Sequence, residues 1–179
     1  MEEPDPVMIR AAAAGDLDAF ERLVRRYQEP VWRFLRGLVS DRALAEDLAQ
    51  ETFLRAFDRL DSFGFRSRFS TWLFQIARNL AVDSLRRRER RRALPWRVGP
   101  NTEPPGPDLG TELASAVSSL SPKLREALLL VEVMGFSCIE AGAILGIPDG
   151  TVKSRLFHAR RQLVEWFEAD DDGQVHGEV

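Results

Sequence analysis

The chain has 179 residues, 44% hydrophobic and 30% charged, enough apolar content for one medium domain or two small ones. Its formal net charge is -3, so affinity for a polyanion has to come from local clusters of Lys and Arg rather than from the field of the whole chain. The single cysteine, Cys138, excludes an intramolecular disulfide, and two distant histidines argue against a metal site. No stretch of about 18 apolar residues occurs, which argues against a membrane span, and the acidic N-terminus has no signal-peptide core. A reducing cytoplasm fits, with Cys138 a small, part-buried helix residue rather than a redox sensor.

From residue 7 to about residue 92 the pattern is helical, with few breakers and no strand-type alternation. Asp16, Asp41 and Ser70 are placed as N-caps. Within ALAEDLAQETFLRAFDRL, residues 43–60, one helical face carries Ala49, Phe53, Ala56, Phe57 and Leu60 as core. The opposite face carries Asp47, Gln50, Glu51, Leu54 and Asp58. An acidic surface with an exposed leucine suits a basic protein partner, because DNA phosphates would be repelled. An ordinary solvated helix face is the alternative.

The segment LDSFGFRSRFSTWLFQIARNLAVDSLRRRERRR places a loop around Gly64 before a long helix. Leu73, Ile76, Ala77 and Leu80 form its inward stripe, which turns Thr71, Gln75, Arg78, Asn79 and Val82 elsewhere. Beside them the loop interleaves Phe65, Arg66, Arg68 and Phe69. That mixture suits single-stranded DNA: aromatics stack or pocket a base, arginines follow the backbone, and the Asn79 amide can read a Watson–Crick edge. Trp72 and Phe74 flank the apolar stripe and read as packing. Arg86 and Arg87 open a run of six arginines in the helix end, which repel one another unless an anion is near. Simple solubilisation of a helix end, aided by its dipole, is the competing account.

Residues 93–111 concentrate five prolines and three glycines, the composition of a linker. Helical patterning resumes over residues 112–168, with Ser121 and Pro122 as N-cap and first-turn proline, and the acidic stretch 169–179 reads as a frayed tail. In FSCIEAGAILGIPDGTVKSRLFHARRQL a helix from about Ser137 to Leu145, a Gly146-Ile147-Pro148 turn and a second helix from Asp149 make a helix-turn-helix layout. Val152, Leu156, Ala159 and Leu163 face inward, while Lys153, Ser154, Phe157, His158 and Arg161 project outward. Lys153 and Arg155 suit phosphate or guanine, Ser154 suits base or backbone, and Phe157 suits a thymine methyl. The plain alternative is a solvated basic helix.

These motifs carry a resemblance. GFSCIEAGAILGIPDGTVKSRLFHARRQL, with its Gly-Thr-Val-Lys-Ser-Arg run from Gly150, resembles the promoter-reading region of extracytoplasmic-function (ECF) bacterial RNA polymerase sigma factors. DLAQETFLRAF is similar to the segment by which sigma factors grip the clamp of the polymerase's largest subunit. The Phe-Ser-Thr-Trp-Leu and Ile-Ala-Arg-Asn steps resemble the region that recognises and melts the minus-10 element. The resemblance implies an all-α fold of two helical domains on a flexible linker: residues 7–92 for polymerase and minus-10 DNA, residues 112–168 for the minus-35 element. It places Thr151 with the minus-35 contacts and implies three partners: core RNA polymerase, promoter DNA and an anti-sigma protein that holds the factor at the membrane in some cases. It implies no cofactor and no chemistry in this chain, since the polymerase is the catalyst. Three positions depart from the pattern: Ile139 stands where relatives often carry a polar residue, Gly142 weakens a helix interior unless close packing needs it, and His158 replaces a frequent arginine. The chain also ends soon after the reading helix, without the C-terminal domain of some members. A stand-alone helix-turn-helix regulator would need a different first domain, and a nucleic-acid-processing enzyme would need clustered carboxylates or metal ligands.

Overall fold

The computed structural model describes residues 3–39, 41–92 and 111–174; the linker expected at 93–111 lies outside them apart from Thr111, as do the last five residues of the expected tail. Among the described residues every regular element is helical, as the periodicity predicts. Helix α1 spans Pro6–Ala13 and is opened by Asp5, whose side chain accepts from the Val7 amide at 2.8 Å. Gly15, at φ +95, turns the chain, and Asp16 caps α2, Leu17–Leu38, through the Ala19 amide at 2.9 Å. Pro30 inside α2 has no amide hydrogen to donate, at a cost of about 3 kcal/mol. Burial of Tyr27, Val31, Phe34 and Leu35 on either side of it offsets that cost. Asp41 caps α3, Arg42–Arg59, and a 3-10 turn at Leu60–Ser62 leads to the loop before α4, Phe69–Arg92.

In the second half, α5 spans Thr111–Ser119 and α6 spans Pro122–Leu128, with Ser121 before its first-turn proline as expected. α6 continues through a π-helical turn at Leu129–Val133. The Arg125 guanidinium donates to the carbonyls of Val117 at 3.1 Å, Leu120 at 3.0 Å and Ser118, and so ties off the end of α5. Then come α7, Cys138–Leu145, and α8, Asp149–Gln174; α8 therefore runs on past Glu168 into the stretch expected to fray.

The two halves share one apolar core. α4 packs on α2 and α3 and also receives α7, with Phe74 and Phe136 at 4.9 Å between ring centroids. Gly37 of α2 lies so near the α6 extension that a Cβ there would sit 2.7 Å from Leu129 Cδ1, and α2 and Leu129 meet through the absent side chain. The two expected helical units are both present, and their buried faces join.

Candidate nucleic-acid and protein interfaces

The helix-turn-helix is built by local devices. Ser137 and Glu140 form a reciprocal capping box at the start of α7: the Glu140 amide donates to Ser137 Oγ at 3.2 Å and the Ser137 amide to Glu140 Oε2 at 2.8 Å. Gly146, at φ +68, closes the helix in the left-handed region. Gly142 is explained by close packing, for a Cβ there would stand 2.7 Å from the Ile147 carbonyl oxygen and 3.4 Å from the Asp149 amide nitrogen at the start of α8. Val152, Leu156 and Ala159 are buried, and Leu163 partly so. Thr151, Lys153, Ser154, Phe157, His158 and Arg161 are exposed and Arg155 is half-buried. Phe157 is 64% exposed, with its ring edge on His158. Ile139, on α7, is 74% exposed.

The charges on this face are partly compensated within the helix. Lys153 Nζ meets Asp149 Oδ2 at 2.8 Å; the hydrogen bond and the charge raise the lysine pKa and lower that of the aspartate. Arg161 pairs with Glu165 at 3.3 Å, and Arg160 pairs with Glu132 of the α6 extension. Exposed pairs of this kind are worth little, so phosphates exchange for them readily.

The α4 face is arranged differently. Phe65 is 43% exposed at φ +52, with its ring 4.8 Å from Phe63, and Arg66 is exposed beside it. Phe69 and Thr71 are corrections: neither faces solvent. Phe69 is the first residue of α4 rather than part of the loop, and it is buried among Tyr27, Phe63 and Trp72. Thr71 is 4% exposed because α4 has neighbours on more than one side. Ser70 likewise lies inside α4 instead of capping it, and its hydroxyl donates to Glu3. Phe74 is buried and Trp72 half-buried, as packing residues should be.

Two of the expected DNA-binding arginines are engaged by the other half of the chain. Arg78 donates to both carboxylate oxygens of the buried Glu126, at 3.3 and 3.1 Å, and Arg68 donates to Glu140 at 2.9 Å. Burial pushes the Glu140 carboxyl up, but the Ser137 hydrogen bonds and the Arg68 charge outweigh it and hold the group below the usual carboxylate range. Asn79, Arg86 and Arg87 are exposed. Arg88 reaches back to Asp41 at 2.7 Å, and its hydrogen bond is the main reason that the Asp41 pKa is lowered.

A third surface lies between α2 and α3: an apolar groove of about 950 Å³ lined by Phe20, Val24, Trp32, Phe53, Leu54 and Phe57. Phe57 is a correction, since it is 41% exposed and stands edge-on to Phe20 at 4.9 Å instead of filling the core. Gln50 lines the groove, Leu54 is 63% exposed, and Asp47 and Asp58 are exposed on the same helix. Glu51 is held by Arg55 at 2.7 Å. The α2 half of the groove was missed from sequence, although Leu17, Phe20 and Val24 recur at helical spacing off the core face of Ala19, Leu23 and Tyr27. Among the described residues no three His, Cys, Asp or Glu side chains are placed to hold a metal ion, and no helix is long and apolar enough to cross a membrane.

A helix-turn-helix with a mixed aromatic and basic outer face, joined to a second helical unit carrying an apolar groove, is the architecture of the sigma-70 class, and both units match that class. Sigma-70 region 2 matches residues 23–91 and Sigma-70, region 4 matches residues 111–163. The chain is 36% identical over 176 residues to the ECF RNA polymerase sigma factor SigC of Mycobacterium tuberculosis, covering 95% of each. It is 31% identical to SigW of Bacillus subtilis, covering 87% of this chain and 92% of that one. Its structure resembles that of the sigma factor RpoE in complex with the anti-sigma factor NepR from Bartonella quintana, with a TM-score of 0.72, 32% identity, and coverage of 84% of this chain and 98% of that chain. The chain belongs to the ECF RNA polymerase sigma factors.

Proposed function

We propose that this chain is a dissociable initiation subunit that recruits core RNA polymerase to promoters and opens them. The observation that carries the reading is the outer face of α8, where exposed Phe157 sits among Lys153, Ser154, His158 and Arg161 on a helix aimed by the Gly146 turn. That face, with Thr151 and Arg155, reads the minus-35 duplex. The groove between α2 and α3, with Asp47, Gln50, Glu51, Leu54 and Asp58, receives the clamp of the largest polymerase subunit, and a basic coiled coil complements its rim. Phe65, Arg66, Arg68, Arg78, Asn79, Arg86 and Arg87 take the minus-10 element, the loop accepting an unstacked base. Chemistry belongs to the polymerase, and the site of action is the cytoplasm, where the polymerase works.

Because Arg68 and Arg78 are tied to Glu140 and Glu126, minus-10 engagement requires α4 to exchange these carboxylates for phosphates. The arrangement supported here is therefore closed with respect to minus-10 DNA and open with respect to minus-35 DNA. An anti-sigma protein that binds across both halves would hold it closed. Transcription in vitro from a promoter library with core polymerase tests the assignment: enrichment of templates sharing two spaced elements supports it, and DNA binding that is unaffected by polymerase would point to a stand-alone regulator instead.

A further inference from the structure

Glu3 precedes α1, yet its carboxylate serves the beginning of α4. Oε2 accepts from the Phe69 amide at 2.9 Å; Oε1 accepts from the Ser70 amide at 3.4 Å and from the Ser70 hydroxyl. The first amides of a helix have no partner within it and sit at the positive end of its dipole, so a carboxylate satisfies both conditions at once. Such a cap ordinarily comes from the residue just before the helix. Here that residue, Arg68, directs its side chain to Glu140, and the cap comes from 66 residues upstream.

The same N-terminal segment makes a second contact with the same loop. The guanidinium of Arg10, on α1, lies 5.2 Å from the centroid of the Phe65 ring. Phe65 is the one described non-glycine residue with positive φ, a conformation that persists only where the surroundings hold it. Arg10 and Phe63 are those surroundings, the latter 4.8 Å away. The loop is thus fastened at its exit by Glu3 and at its tip by Arg10. Neither residue lines the α2–α3 groove, and neither belongs to α8.

We propose that Glu3 and Arg10 are positioning residues for minus-10 recognition: they brace the loop over residues 63–68 so that Phe65 and Arg66 are presented to an unstacked base. This rests on the reading of that loop as the single-strand site. The brace contributes nothing to polymerase docking or to minus-35 reading, and this separation makes it testable.

The experiment uses the full chain reconstituted with core polymerase. A single-stranded element is first enriched by the wild-type holoenzyme from a DNA pool randomised over six positions. Affinity for that strand, affinity for core polymerase and the thermal midpoint are then measured for Glu3→Gln, Arg10→Ala and Arg10→Lys. Glu3→Gln keeps a carbonyl acceptor for Ser70 but removes the charge. Single-strand affinity is expected to fall about five- to tenfold in Glu3→Gln and Arg10→Ala, with partial recovery in Arg10→Lys because an ammonium still sits over the ring. Polymerase affinity should stay within about twofold in all three, a change below the noise of side-chain truncation far from an interface. Unchanged strand affinity in both variants, or a parallel fall in polymerase affinity, overturns the brace. If Glu3→Gln lowers the thermal midpoint sharply, Arg10→Ala, at an exposed position, decides the matter. If the wild type enriches no strand, the single-strand site is itself misassigned and the brace falls with it; enrichment without an effect of the variants overturns the brace alone.

Discussion

The outer faces of α8 and α4 are both assigned to DNA, yet they stand in opposite conditions. On α8 the outward cations Lys153 and Arg161 are exposed and compensated by near neighbours, Asp149 and Glu165, each four residues away on the same helix. On α4 and at the residue before it the compensating carboxylates come from far along the chain: Glu126 is 48 residues from Arg78, and Glu140 is 72 from Arg68. A helix that neutralises itself remains available, whereas a helix neutralised by another unit is covered by it. Side-chain exposure is 23% and 8% for Arg78 and Glu126, against 64% and 46% for Lys153 and Asp149. Removing one partner of the first pair leaves a buried charge uncompensated, while the second is an ordinary surface contact.

The largest expected effect asks whether either DNA face acts without the enzyme. Asp47→Arg combined with Glu51→Arg reverses the charge beside the α2–α3 groove and should weaken core polymerase binding about a hundredfold, some 3 kcal/mol, in a direct titration. Duplex and single-strand DNA binding by the free chain should be unaltered; intact polymerase binding would refute the assignment of that face.

Next, Glu126→Lys places a like charge against Arg78 and breaks the contrast between the two faces. Single-strand affinity of the free chain should rise about tenfold, with a larger separation between α4 and α6 by fluorescence transfer, and minus-35 affinity should not change. Equal affinities in wild type and variant would mean that the α4–α6 contact imposes no barrier. Phe157→Ala acts on the other side of the comparison. A drop of about fivefold in minus-35 duplex affinity, roughly 1 kcal/mol, is expected with no effect on the single strand.

Smaller still is His158→Arg, which adds a permanent cation to an exposed position and should strengthen upstream-element binding by about two- to threefold while altering base preference. Identical affinity and preference would show that position 158 touches neither base nor phosphate.

Acid sharpens the contrast without mutation. The Glu140 carboxyl titrates below its unfolded value, so the stabilisation from its α7 cap and its tie to Arg68 is fully present above the ordinary carboxylate range. It is lost as pH falls through the lowered folded value. Protection of amides at the start of α7 should therefore decline in strongly acidic buffer and be constant from mildly acidic to neutral pH, as hydrogen exchange measures.

Legibility followed the range of the interactions. The caps Asp16 and Asp41, the Gly146 turn and the inward and outward faces of α8 depend on residues within a turn or two, and the sequence pattern located each. Phe69 reads as loop because no local signal marks α4 as starting there, and Thr71 reads as outward because the periodicity of one helix separates two sides and does not count its neighbours. Phe57 was assigned to the core for the converse reason: an apolar side chain lining an open groove has the same spacing as one in a closed interior. The ion pairs of Arg68 and Arg78 and the Glu3 cap join residues whose separation along the chain carries no local signal.

Helix α4 is 24 residues long, which at about 1.5 Å per residue makes a rod of roughly 36 Å. The rod has the Phe65 loop at one end and the Arg86 and Arg87 side chains towards the other. Under the proposed assignment, a strand captured at the loop and a phosphate held at Arg87 are spaced by an unjointed rod of about 27 Å, so that the rigidity of α4 fixes how far from the opened base the backbone is gripped.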